Sequence, residues 1–181
     1  MGPRTEALLL RSSPMSLSPR TALQVTSSIT VDGRTQLALA GVIDETCDLG
    51  FLRTLVGQVV LQAREVRRLT SFGVRRWRDA VRAMPPTCLV EMTEASPAFA
   101  DHIRLVAGFL GPIRLRSFFA VATCERCEAS TSLLVDLERY RESKRLPTKA
   151  CTCGGALECA DPQPYFDILL RAAGANRPTP G

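Results

Sequence analysis

The chain has 181 residues, 45% hydrophobic and 23% charged, enough to bury one sizeable core and a small appendage, so it reads as globular. No apolar run approaches the roughly 18 residues that cross a bilayer. "EALLL" near the start is too short for a signal-peptide core and has no small-residue cleavage site after it, so a cytoplasmic protein without a membrane partner is expected.

In chain order, residues 1–24 are rich in Ser, Pro and Arg without a usable period and read as a disordered leader, with Met15 as an alternative start to Met1. Strand signals follow at 25–30 (VTSSIT), 35–41 (TQLALAG), 58–63 (QVVLQA), 87–92 (TCLVEM) and 113–122 (IRLRSFFAVA), each short and rich in β-branched or aromatic residues. Helical periods fill 47–57, 74–84 and 96–111. The expected order is therefore ββαβαβαβ.

The helix boundaries have physical causes. Thr46 or Asp48 can cap the first helix, Gly73 opens the second, and Pro85-Pro86 ends it because proline lacks the amide donor. Ser96-Pro97 is a cap followed by proline at the first helical position, and Gly108 to Pro112 stops the third. Val74, Trp77, Ala80, Val81 and Met84 recur at helical spacing, which makes Trp77 a core residue. Asp101 and the lone His102 have no serine, cysteine or second histidine near them in sequence, so no catalytic set emerges and an enzyme is not expected.

Charge is concentrated in one place. From Arg64 to Arg82 seven arginines (Arg64, Arg67, Arg68, Arg75, Arg76, Arg78, Arg82) stand against Glu65 and Asp79, and this window holds the whole net charge of +5. Such a patch meets phosphates or an acidic partner, or is simply a solvated helix face.

Cysteine is concentrated elsewhere. Five of the seven lie after residue 120, and an odd number in a chain without an export signal points to reduced thiols or metal ligands. "CERC" (Cys124, Cys127) is followed after 23 residues by "CTCGG" (Cys151, Cys153), which reads as the two knuckles of a zinc ribbon binding structural Zn2+. The second pair is CxC, so Cys159 is a rival for the fourth ligand. Gly154-Gly155 permits the positive φ of a knuckle turn. "STSLLVDLERY" (130–140) and "GALEC" (155–159) are expected strands, "PYFDILLRAAG" (164–174) an amphipathic helix, and Cys47 and Cys88 core residues. The segment 123–173 is thus a zinc-ribbon-like module, and 174–181 a disordered tail.

Residues 25–122 resemble a STAS domain, the fold of bacterial anti-sigma factor antagonists and of sulfate-transporter cytoplasmic tails. The resemblance rests on "GVID" (Gly41, Asp44), the hydrophobic third strand and the turn after it, where Thr70, Ser71, Phe72 and Gly73 stand at the family's Asp-Ser-Ser-Gly. It implies an α/β fold with a mixed sheet and helices mainly on one face. It also implies a non-enzymatic signalling or scaffold module whose partner, a kinase- or anti-sigma-like protein or a complex component, reads Asp44, Thr70, Ser71, Phe72, Gly73, Arg75, Arg76 and Arg78. In that family the serine at the position of Ser71 is phosphorylated and the added charge breaks the interface. Here Thr70 replaces an acidic residue and Phe72 a small one, and Ser71 is alternatively only a helix cap. The other class of function is nucleic-acid binding, with the ribbon and the Arg64–Arg82 patch contacting phosphates.

Overall fold

Leu37, Leu39 and Ile43 alternate with less buried residues, so every second side chain of strand β2 (Thr35–Ile43) enters the core. In the computed structural model, which describes residues 22–159 and 163–174, β2 is the second strand of a five-stranded sheet. Its neighbours are β1 (Gln24–Ile29) and β3 (Gln58–Leu69), followed by β4 (Leu89–Thr93) and β5 (Arg114–Leu115). β1 pairs antiparallel with β2, and β2 to β5 pair in parallel in sequence order. Because the order advances one way and parallel crossovers are right-handed, α1 (Ser71–Arg82) and α2 (Pro97–Leu105) share one face. There Trp77 of α1 meets Phe99 of α2 edge-on at 5.0 Å, and the Trp77 indole N–H donates to the Phe109 carbonyl at 3.0 Å. Trp77 is 0% exposed.

Three expected elements change form. The helix expected at 47–57 is a single 3-10 turn, Gly50–Thr54. Asp48 accepts from the Gly50 amide at 2.8 Å and opens the turn, Leu55 is extended, and Gly57 turns the chain with φ 70°. Helix α2 stops at Leu105, because Val106 is extended and Gly108 and Gly111 take φ of 70° and 53°. Helix α1 begins at Ser71, three residues before the apolar period does.

The strand expected at 113–122 divides between two sheets. β4 ends at Thr93, and Glu94 leaves it in the left-handed region (φ 53°) with its amide taken by Ser117 Oγ at 2.9 Å, so the regular β4–β5 ladder stops at Leu115 and only an isolated bridge, Ala95 to Phe118, follows. The chain continues as β6 (Ser117–Cys124), the centre of an antiparallel sheet ordered β7-β6-β8. β7 covers Ser130–Asp136 and β8 Leu157–Cys159. The strand expected over 130–140 gives way to helix α3 (Leu137–Ser143), because the Asp136 carboxylate caps it by accepting from the Arg139 amide at 2.9 Å.

Helix α4 (Gln163–Gly174) closes the described chain. Phe166 stacks on Phe118 of β6 at 5.9 Å and meets Tyr140 of α3 at 5.7 Å, and these rings belong to the same hydrophobic core as Trp77 and Phe99. The last residues of the expected leader are part of the fold: Ala22 bridges to Val42 and Gln24 opens β1. Residues 1–21 of that leader and 175–181 of the expected tail lie outside the described residues. Among the described residues no helix is long and apolar enough to cross a membrane.

Candidate metal centre and partner-binding turn

The central strand β6 ends at Cys124, and the reversal after it brings Cys127 back beside the strand. The Glu128 amide bonds to the Cys124 carbonyl at 2.9 Å, and Glu128 itself takes φ 59°. A second reversal repeats this geometry: the Gly154 amide bonds to the Cys151 carbonyl at 2.9 Å, with Gly154 at φ 79°. The Cys151 amide bonds to the Gly155 carbonyl at 3.1 Å and closes the second turn, and the Glu125 amide bonds to the Ala156 carbonyl at 3.2 Å, which sets the two turns against each other. The ligand atoms of Cys124, Cys127, Cys151 and Cys153 all lie within 4.8 Å of one another.

The distances suit a metal ion. Cys124 and Cys153 sulfurs are 3.5 Å apart and Cys127 and Cys151 sulfurs 3.6 Å. A tetrahedron with metal–sulfur bonds of about 2.3 Å has edges near 3.8 Å, whereas a disulfide is about 2.05 Å. None of the seven cysteines forms a disulfide. Gly155 keeps the cradle open, since a Cβ there would lie 2.7 Å from the Cys124 sulfur and 2.8 Å from Arg126 Cβ. Its part is close approach, and Gly154 supplies the positive φ. Cys159, the rival fourth ligand, sits on β8 packed against the core and outside the four-sulfur group. Cys47 and Cys88 are buried, as core residues should be.

The sulfurs cannot all ionise unaided. The Cys153 amide and then the Cys127 thiol, both donating to it, bring Cys151 down to about 6. The Gly155 amide favours the Cys153 thiolate, but the facing Cys127 and Cys124 sulfurs outweigh it and push Cys153 up to about 12. One thiolate forms easily and the next is opposed, which is the charge problem a dication bound among them would relieve.

At the other end of β3 the chain turns into α1. Thr70 is the cap: its side-chain oxygen accepts from the Gly73 amide at 3.0 Å, and its own amide donates to the Ile43 carbonyl at 3.0 Å. Ser71 is therefore not the capping residue. It is the first helical residue, exposed, with no hydrogen bond from its hydroxyl among the described residues. Gly73 is buried inside the helix and does not open it; a Cβ there would overlap the Ile43 carbonyl oxygen, so its absence lets α1 seat on the end of β2. Phe72 stands 64% exposed beside them.

Val42, Asp44, Glu45, Arg68, Ser71 and Phe72 line a cleft of about 390 Å³ at this turn. The Asp44 carboxylate accepts from the Thr46 amide at 2.9 Å and from its hydroxyl at 2.7 Å, which holds the loop after β2. The expected arginines divide. Arg75 is exposed, Arg76 reaches back to the Cys47 carbonyl at 2.9 Å, and Arg78 is partly buried with its Nε unpaired. Arg67, Arg68, Arg75 and Arg82 are exposed and make no ion pair among the described residues, whereas Arg64 lies near Glu65 at 3.7 Å and Glu94 at 4.0 Å.

Sequence reasoning missed a second cleft, at the opposite end of the parallel strands, lined among others by Arg34, Glu91, Arg114 and Arg116. Those residues come from three parts of the chain, before β2, within β4 and around β5, and no local spacing signals their meeting. No family model, no curated protein and no solved structure matches the chain.

Proposed function

We propose that the protein is a non-enzymatic, cytosolic signalling or scaffold module of the STAS type, which binds another protein through the turn at Ser71. The observation that carries this reading is the turn itself: a large apolar side chain, Phe72, is held outward next to a free-standing hydroxyl, on a rigid helix start whose capping is already done by Thr70. In this reading the exposed Phe72, set among mixed charges, serves as the interface anchor. The strand order, with one antiparallel strand before four parallel ones, agrees with the STAS resemblance. The four-cysteine group is read as a structural zinc site that fixes β6 and β8 together, zinc being the ion that selects four thiolates in tetrahedral knuckles.

Phosphorylation is the switch this reading implies. A phosphate on Ser71 would sit at the positive end of α1, with Arg68 lining the same cleft and Arg75 one turn on, while Asp44 and Glu45 oppose it from the other wall. The test compares two substitutions in a binding assay with a partner from the native host. Ser71→Asp is expected to weaken binding by about tenfold or more and Ser71→Ala to leave it within about twofold. Equal losses would mean that Ser71 has only a structural part and would remove the charge switch, and no loss from either would place the partner surface elsewhere.

The exposed, unpaired arginines Arg67, Arg68, Arg75 and Arg82 support a second reading, nucleic-acid binding. That reading requires affinity that falls steeply between about 50 and 200 mM salt and is lost in Arg68→Ala/Arg75→Ala. A protein partner docked on Phe72 is much less sensitive to salt.

A further inference from the structure

Pairing register places residues in rows across the sheet face that α1 and α2 leave open. Val60, Glu91 and Arg114 form one row on β3, β4 and β5. Arg34 precedes β2 and Arg116 follows β5, so three arginines converge on the one carboxylate of Glu91. Glu91 is already claimed on both sides, by Arg34 at 3.6 Å and by Arg116 at 3.2 Å. Arg34 also holds Asp32 at 2.6 Å, and Arg116 holds Glu138 at 2.8 Å. Arg114 is left, half-buried and without an ion pair among the described residues.

The cleft these groups line, about 580 Å³, has an apolar side as well. Leu89, 54% exposed, stands there with Pro86 and Pro112. A cavity of this size with convergent polar groups at one side and an apolar floor is the form of a small-molecule site. Its charge is the decisive feature. Asp32, Glu91 and Glu138 between them engage Arg34 and Arg116, and Arg114 is left as the lining cation with no ion pair or hydrogen bond from its guanidinium among the described residues.

We propose that this cleft binds a small amphipathic anion, its carboxylate or phosphate head on Arg114 and its apolar body over Leu89, Pro86 and Pro112. The site lies at the N-terminal ends of the parallel strands, away from the turn at Ser71, and stands independently of the partner-binding reading.

Amide chemical shifts of the full chain, titrated with hexanoate, hexyl phosphate, hexanol and inorganic phosphate, test it. Hexanoate, hexyl phosphate or both are expected to saturate shifts at Leu89, Glu91 and Arg114, leaving Gly73 unmoved, and which head binds more tightly separates a carboxylate from a phosphate ligand. Hexanol and inorganic phosphate are expected to bind about tenfold more weakly than the better amphiphile, because each lacks one half of the recognition. Arg114→Gln is expected to cost about tenfold in affinity, and Leu89→Ser, at an exposed position where folding is not at stake, about fivefold. The proposal is overturned if neither amphiphile saturates by about 10 mM, if hexanol or inorganic phosphate matches the better amphiphile, or if the folded variants bind like the wild type.

Discussion

The four-cysteine knuckles and the turn at Ser71 are both tight reversals shaped by a glycine that another group crowds, yet they teach opposite lessons about reading function. At the knuckles Gly155 yields to a sulfur, and the residue types alone suggest the chemistry, because four cysteine sulfurs at near-tetrahedral separation could hold a soft cation. At the turn Gly73 yields to the Ile43 carbonyl, and the result is a well-placed surface whose chemistry depends on what docks there. One site has its four candidate ligands within the chain, and the other, in the reading proposed above, is half of an interface.

The largest effect should separate the two. Purified protein is expected to carry about one zinc per chain, bound by Cys124, Cys127, Cys151 and Cys153. Cys124→Ser or Cys151→Ser should abolish it while Cys159→Ser retains it, as read by elemental analysis. A zinc content below about a tenth of an equivalent in folded, chelator-free protein would end the zinc reading. Chelation should also strip hydrogen-exchange protection from β8 and the end of β6 while β2 and β3 stay protected. Equal loss in both sheets would break the comparison.

Gly73→Ala comes next, with an expected loss of about 3 kcal/mol in chemical denaturation, because the added methyl meets backbone that cannot move aside. Gly155→Ala should leave that stability nearly unchanged in the metal-loaded protein and lower metal affinity about 10- to 100-fold in a chelator competition, since its methyl meets the Cys124 sulfur. The smallest effect is Thr70→Ala, about 1 kcal/mol, the worth of one helix cap.

The same contrast explains what was legible in the sequence. Strand and helix order could be read because apolar periods carry it, and Trp77 was placed in the core by its spacing with Val81 and Met84. Cys124, Cys127 and Cys153 followed from spacing as candidate ligands, and only the fold could choose Cys151 over Cys159, because β8 turns Cys159 toward the core packing. The split of 113–122 between two sheets was hidden, since its apolar run is continuous and the cause is a left-handed Glu94 twenty residues earlier in the chain. Ser71 and Thr70 are adjacent hydroxyl residues, and only the hydrogen bond to the Gly73 amide tells which one caps. The Arg114 cleft depends on lateral register between strands, which no single stretch of sequence encodes.

The central claim, that a partner protein reads the turn, is tested most directly by photo-cross-linking in the native host. With p-benzoylphenylalanine in place of Phe72, one discrete cross-linked partner is expected, and adding Ser71→Asp should remove it; the same probe in place of Arg126, beside the cysteine group, should give none. A partner captured from the Arg126 position alone, or one captured at position 72 and indifferent to Ser71→Asp, would contradict the account.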